Sequence, residues 1–244
     1  MSDVIAKYCS AGFGGFLGIN GCSLNINGSY FYDNYSVRGG GCIAGSSPET
    51  LIEKSFFKEN KAGNHGGALH FLATDTNYDV YNCIFDKNQS GVDGTNNGGA
   101  IYFRQGFLNL VNNIFVGNSS MEYGGAMYVE DLDANPATVL GLNNIFFDNV
   151  ATTASVIAVS GNSVVTIKNS LISFGNSSLY GLVLNFDETD GNITSDPKFV
   201  DYANGDYRLA YGSPCIDMGT NNANVVNDIR GVERPIYDST DIGV

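Results

Sequence analysis

Apolar residues in this chain recur as short alternating runs, and the runs repeat. Aligned on a glycine pair (Gly14-Gly15, Gly40-Gly41, Gly66-Gly67, Gly98-Gly99 and Gly124-Gly125, with degenerate copies at Ala154-Ser155 and Tyr180-Gly181), the third residue after the first glycine is Leu17, Ile43, Leu69, Ile101, Met127, Ile157 or Val183. Two residues further on stand Ile19, Gly45, Phe71, Phe103, Val129, Val159 and Asn185, still mostly apolar. The position between is mixed: Gly18, Ala44, His70, Tyr102, Tyr128, Ala158 and Leu184. Period-two alternation predicts a strand in each unit, with one side chain in and the next out. Successive pairs are 26, 26, 32, 26, 30 and 26 residues apart. That spacing belongs to a solenoid, whose units are too thin to bury an apolar face alone and must stack.

A second motif, Phe-x-x-Asn, recurs at Phe31/Asn34, Phe57/Asn60, Phe85/Asn88, Phe115/Asn118 and Phe146/Asn149. The glycine pair precedes each strand, where the chain must bend sharply, and glycine permits positive φ and close backbone approach. Asn82, Asn112 and Asn143 share a column ahead of another strand and predict a side-chain amide ladder. No window shows a sustained helical period, so almost no helix is expected. A leucine-rich repeat would need Leu-x-x-Leu-x-Leu, which is not visible. The pattern therefore predicts an all-β fold. It is a right-handed parallel β-helix of pectate-lyase-like form, with strands about 4.8 Å apart. Repeats span 1–184 as about seven coils, the first incomplete, and 185–244 form an irregular C-terminal cap continuous with the solenoid.

The motifs bring in a resemblance. Phe-x-x-Asn with Gly-Gly-Ala-aliphatic resembles the repeats of the polymorphic outer-membrane protein family, which implies a β-helical passenger acting as an adhesin. Met127 departs mildly from the aliphatic choice, and Cys42 stands where the family has Ala. The stretch Asp196-Pro197-Lys198-Phe199-Val200-Asp201, with Gly205-Asp206-Tyr207-Arg208-Leu209, Gly212-Ser213-Pro214-Cys215-Ile216-Asp217-Met218-Gly219 and Asp241-Ile242-Gly243, is similar to the carboxyl end of secreted β-helix proteins of the choice-of-anchor type. Fold follows strongly from these likenesses. Activity does not, since β-helices host lyases, hydrolases, adhesins and spacers alike.

Composition narrows the partners. A net charge of −13 argues against nucleic acid and anionic membrane surfaces. No apolar run is long enough for a membrane span. Met1-Ser2-Asp3-Val4 lacks the features of a signal peptide, and Gly14 already lies in a repeat. A trimmed or mature segment is expected, at the cell surface or outside it, with self-association through the open N-terminal coil as another possibility. Cys9, Cys22, Cys42, Cys83 and Cys215 form no CxxC spacing and share no column, so unpaired, buried cysteines are expected.

Candidate chemistry is sparse. His70, Tyr102 and Tyr128 fall on one outward column and predict an exposed aromatic strip that accepts the C–H face of a sugar, with Arg104 and Glu130 at its margin. Asp131, Asp133 and Asn135 offer oxygen ligands at alternate positions, a weak Ca2+ signal without the glycine and glutamate of an EF-hand loop. Asp217, Asp228, Asp241, Arg208, Arg230 and Arg234 are expected to tie the C-terminal segment together. No catalytic residues stand out and no cofactor is required. The leading reading is a non-enzymatic adhesin-like passenger, stalk or fibre segment whose partner is an extracellular or cell-surface glycan or protein. The alternative is a polysaccharide lyase or glycoside hydrolase, whose paired carboxylates or poised base the sequence does not single out. Six Asn-x-Ser/Thr sequons (Asn27, Asn34, Asn88, Asn118, Asn176 and Asn192) do not by themselves establish glycosylation.

Overall fold

A computed structural model describes residues 1–244 apart from 73–75, 92–95, 132–134, 185–187, 223, 224, 226, 234–238 and 244, and apart from the side chains of 176, 177, 184 and 188. It is a parallel β-solenoid of about six turns with three seven-stranded sheets and one narrower five-stranded sheet. Strands Tyr30–Tyr32, Phe56–Lys58, Ile84–Asp86, Ile114–Val116 and Ile145–Phe147 belong to a phenylalanine sheet. Ile43–Ser46, Leu69–Leu72, Ile101–Arg104, Met127–Glu130 and Ile157–Val159 belong to a glycine sheet, and Glu49–Glu53, Asn77–Tyr81, Gly106–Val111, Ala137–Leu142 and Val164–Lys168 to a third sheet. Among the described residues helical structure is confined to three short 3-10 turns, Gly175–Ser178, Glu188–Asp190 and Tyr202–Asn204.

Stacking is in register, as the repeat columns require. Ile43, Leu69, Ile101, Met127 and Ile157 are paired strand to strand and fully buried in one core. The phenylalanines form a continuous column: Phe31, Phe57, Phe85, Phe115 and Phe146 stack with centroid spacings of 4.9, 5.0, 4.7 and 4.8 Å. That spacing is the inter-strand distance itself, so the rings are held face to face by the backbone repeat.

Each coil turns through three left-handed corners. One precedes the phenylalanine strand (Lys54, Asn82, Asn112, Asn143), one follows it (Asp33, Glu59, Lys87, Asp148), and one is the first glycine of the pair. At Gly98 φ is +69° and a Cβ would lie 2.2 Å from the Ile101 carbonyl oxygen. At Gly99 a Cβ would lie 2.0 Å from the Gly125 oxygen of the next coil. The first glycine supplies the bend and the second the close approach of coils.

The expected ladder on Asn82, Asn112 and Asn143 is displaced. These asparagines occupy the left-handed corner, with φ of 51°, 55° and 56°, and only Asn143 donates to another of them, Asn112, at 3.2 Å. The long ladder is made by the asparagine of Phe-x-x-Asn. Asn34, Asn60, Asn88, Asn118 and Asn149 are buried and joined amide to amide at 2.8, 3.0, 3.0 and 2.9 Å. Each amide also donates to the coil before it; Asn88 Nδ2 reaches the Phe57 carbonyl at 2.8 Å. The motif thus couples a stacked ring to the amide that satisfies a neighbouring ring's backbone. Sequons at Asn34, Asn88 and Asn118 fall on this ladder and are closed in the folded chain. A second, shorter ladder links Asn113 to Asn144 at 3.0 Å.

The C-terminal segment packs against the phenylalanine sheet. After the bridge between Leu171 and Ile193 it folds back along the solenoid's flank. The reason lies in the phenylalanine sheet, whose outward residues Ile84, Ile114, Ile145 and Leu171 are apolar and need cover. Tyr207, Cys215 and Ile242 supply it. The left-handed corner asparagines then hold the segment: Asn82 Nδ2 donates to the Asn227 carbonyl at 2.7 Å, Asn112 Nδ2 to that of Gly243 at 2.8 Å and Asn143 Nδ2 to that of Thr220 at 2.7 Å. We call this segment the clasp. Inside it Arg230 pairs with Asp228, whereas Arg208 pairs with Asp206, and Asp241 accepts the Asp217 N–H at 2.9 Å. Arg234 lies outside the described residues. All five cysteines are free; Cys42, Cys83 and Cys215 are buried as expected, but Cys22 is exposed and Cys9 partly so.

Candidate functional site

The outward column of the glycine sheet forms as the repeat spacing implies. His70, Tyr102 and Tyr128 are register partners on adjacent strands. His70 meets Tyr102 edge-on at 4.5 Å, and Tyr102 stacks on Tyr128 at 5.6 Å. The expectation that the strip is exposed is overturned for two of the three rings. His70 is 7 % exposed and Tyr102 4 %, and only Tyr128 is half-buried.

What covers them is the residue directly ahead of each glycine pair. That column reads Phe13, Gly39, His65, Asn97, Tyr123 and Thr153, and its rings lie over the outward column, Phe13 and His65 reaching strands of later coils. Phe13 packs on His70 at 5.4 Å, His65 stacks on Tyr102 at 4.5 Å, and Tyr123 lies 6.1 Å from Tyr128. Gly39 leaves the space that the His70 ring occupies, since a Cβ there would sit 2.0 Å from Nδ1. A mixed column of this kind carries no periodic signal.

Arg104 and Glu130 are opposed across adjacent strands and form an ion pair at 3.4 Å. At that separation the Arg104 Nε–H makes no hydrogen bond of good geometry, so the contact is chiefly Coulombic. The Tyr102 hydroxyl donates to the same Glu130 oxygen. Burial, then that carboxylate, pushes the Tyr102 phenol well above its ordinary value. Both margin residues are therefore engaged with the strip itself.

His70 is held neutral. Burial, with His65 and Arg104 nearby, lowers it to about 3, and neither ring nitrogen has a hydrogen-bond partner. A histidine depressed in the folded state binds fewer protons there than when unfolded. Its contribution is therefore fully present above the unfolded value near 6.5 and declines as pH falls toward 3. Between pH 7 and pH 4.5 the wild-type chain is expected to lose about 2–3 kcal/mol more stability than a His70→Phe variant. Paired urea titrations check this, and equal acid losses would refute it.

Of the proposed calcium ligands, Asp131 and Asn135 are among the described residues. Asp131 Oδ2 accepts the Asn162 N–H at 2.9 Å, and the Asp131 N–H points to Ser160 Oγ at 3.3 Å, so this residue fastens the next coil's turn. Asn135 is half-buried, and Asp133 lies outside the described residues. No cluster of three or more His, Cys, Asp or Glu suited to a metal occurs among the described residues.

The seventh unit is also in a different register from the one its sequence suggested. Tyr180-Gly181 is no glycine corner: Leu179 pairs with Ile157 and Tyr180 with Ala158, while Val183 pairs with Val165 in the third sheet. The turn Gly175–Ser178 has replaced the corner. Tyr180 thereby joins the outward column, 5.9 Å from Tyr123, and is 53 % exposed. Sequence reasoning missed both rings. On this face the partly exposed rings are Tyr123, Tyr128 and Tyr180, and small Ala158 between the last two leaves Tyr123 room to lie across them.

Residues 82–104 match the Chlamydia polymorphic membrane protein (Chlamydia_PMP) repeat. The chain carries a polymorphic membrane protein repeat. The match runs from the left-handed corner at Asn82, through Phe85 and the ladder residue Asn88, to the Gly98-Gly99 pair and the strand bearing Tyr102 and Arg104. Comparisons with curated proteins and with solved structures found no match. Among the described residues no helix is long and apolar enough to cross a membrane.

Proposed function

We propose that this chain is a rigid, non-catalytic segment of an outer-membrane or surface-displayed passenger, adhesin-like in role, that presents a tyrosine patch to an extracellular glycan. The setting is supported by the polymorphic membrane protein repeat within an uninterrupted parallel solenoid. The observation that carries the contact surface is the group Tyr123, Tyr128 and Tyr180, three partly exposed rings within 6.1 Å of a neighbour on the outward side of the glycine sheet. Aromatic faces of this kind take the apolar face of a sugar ring. Glu122, next to Tyr123 in the chain, adds an acceptor for the sugar hydroxyls, and an acidic chain disfavours anionic glycans.

Replacing Tyr128 and Tyr180 together with alanine is expected to reduce binding of neutral glycans on an array by at least about tenfold while thermal unfolding stays cooperative. Unchanged binding removes the patch from the proposal. Turnover of a polysaccharide by the wild-type chain, assayed with and without calcium, would replace the passenger reading with an enzymatic one.

A further inference from the structure

The tyrosine patch runs along the solenoid axis. Tyr128, Ala158 and Tyr180 are register partners on three consecutive strands of the glycine sheet. Two strand spacings, about 9.6 Å, therefore separate Tyr128 from Tyr180 along the axis. Tyr123 bridges them, its ring centroid 6.1 Å from one and 5.9 Å from the other and its plane tilted by 44° and 43°. Ala158 is fully buried, so its strand adds nothing that interrupts the row.

The row is bounded at both ends. Toward the amino terminus the next ring in the column, Tyr102, is closed by His65, which stacks on it at 4.5 Å. Toward the carboxyl terminus Leu179–Tyr180 is the last strand of the sheet among the described residues. Three strand levels thus make up the row. Glu130 and Glu122 both bear on Tyr128, which disfavours an anionic ligand.

Length and spacing select among sugar chains. In a diequatorially linked pyranose chain, the linkage of cellulose and chitin, the units form a flat ribbon with axial C–H groups on both faces. Such faces suit aromatic rings. Each unit is turned over relative to the last, so alternate units present the same face. The two-unit repeat of that ribbon is close to two strand spacings, and three units match the row from Tyr128 to Tyr180. A chain with axial linkages, as in maltose, curls and carries its third unit off the row.

We propose that the patch takes an uncharged, diequatorially linked oligosaccharide lying along the solenoid axis, with Tyr128 and Tyr180 on alternate sugar units and Tyr123 against the unit between. This rests on the glycan-binding role proposed for the patch and narrows it to a linkage, a direction and a length. Glucose units and N-acetylglucosamine units share the chemistry.

Amide chemical shifts of the full chain at Tyr123, Tyr128 and Tyr180, followed during titration with glucose, cellobiose, cellotriose and cellotetraose, test it. Affinity is expected to rise at least about tenfold from glucose to cellotriose and to level off at cellotetraose. Maltotriose, the same sugar with axial links, should bind at least about tenfold more weakly than cellotriose. Tyr180→Ala, at an exposed position, should erase the gain from cellobiose to cellotriose while cellobiose still binds. The chitin series is titrated in parallel, and the tighter of the two trisaccharides identifies the sugar. A diequatorially linked trisaccharide that binds no tighter than its own monosaccharide or than maltotriose, or an undiminished gain in Tyr180→Ala, overturns the proposal and leaves a glycan site of another kind. Neutral glycans bound on the array, with no shift from either series, do the same. No binding of any neutral glycan removes the patch itself as a contact surface.

Discussion

An Asn88→Ala chain is expected to lose roughly 3–6 kcal/mol of unfolding free energy, because several buried polar groups lose a hydrogen-bond partner at about 1–3 kcal/mol each. Asn88 Oδ1 accepts both the backbone N–H and the amide of Asn60, each at 3.0 Å, and its Nδ2 donates to Phe57 at 2.8 Å and to Asn118 at 3.0 Å. Asn60, Asn88 and Asn118 are fully buried, so water cannot replace what is lost. Every amide in the ladder points the same way along the axis, which lets each bond polarise the next. Against a typical stability of about 5–15 kcal/mol, the loss is enough to unfold a marginal chain. Exposed Asn25, changed to alanine, should move stability by no more than about 0.5 kcal/mol. Urea unfolding followed by circular dichroism separates the two. An Asn88→Ala midpoint equal to wild type would mean that the ladder holds nothing together.

Gly99→Ala should be at least as damaging, by about 4 kcal/mol or more, through a different cause. The added methyl would lie 2.0 Å from the Gly125 carbonyl oxygen and 2.6 Å from the Ser119 backbone. Both obstacles are main chain of the adjacent coil, so relief requires two coils to move apart and break register. Gly18 is the matched control. It lies in the glycine sheet itself and faces outward, and its nearest obstacle is the Phe13 oxygen at 3.6 Å, an ordinary contact. Gly18→Ala should express and melt like wild type, while Gly99→Ala should be insoluble or melt well below it. Similar melting curves would remove close coil approach as the reason for the second glycine.

What the sequence disclosed was whatever repeats. Leu69, Ile101 and Met127 could be assigned to one buried row because burial imposes the same demand in every coil. Phe-x-x-Asn was visible as a motif, but the ladder was expected one corner away, at Asn82, Asn112 and Asn143. Asparagine suits both places: it tolerates left-handed backbone angles, and its amide stacks. Only the geometry shows which asparagine does which. His70, Tyr102 and Tyr128 were placed correctly on one outward column, yet two of them are covered. Their cover comes from Phe13, His65 and Tyr123, a column also occupied by Gly39 and Asn97, so no common residue type marked it. Tyr180 escaped because its coil turns through Gly175–Ser178 rather than a glycine pair. The clasp was the least legible part. Its contacts, such as Asn112 to Gly243 at a separation of 131 residues, occur once and leave no pattern to read.

Spin labels on the outward face of the third sheet measure the stacking itself. Asn25, Asn109, Leu140 and Thr166 lie on one column of paired residues, Asn25 through Leu51 and Asp79 to Asn109 and onward. With Cys9 and Cys22 replaced by serine, pulsed electron resonance between a label at position 25 and one at 109, 140 or 166 should give separations near ~14, ~19 and ~24 Å, rising by about 4.8 Å per coil. Distances that fail to climb in equal steps, or that spread broadly, would show that the coils do not stack in this register.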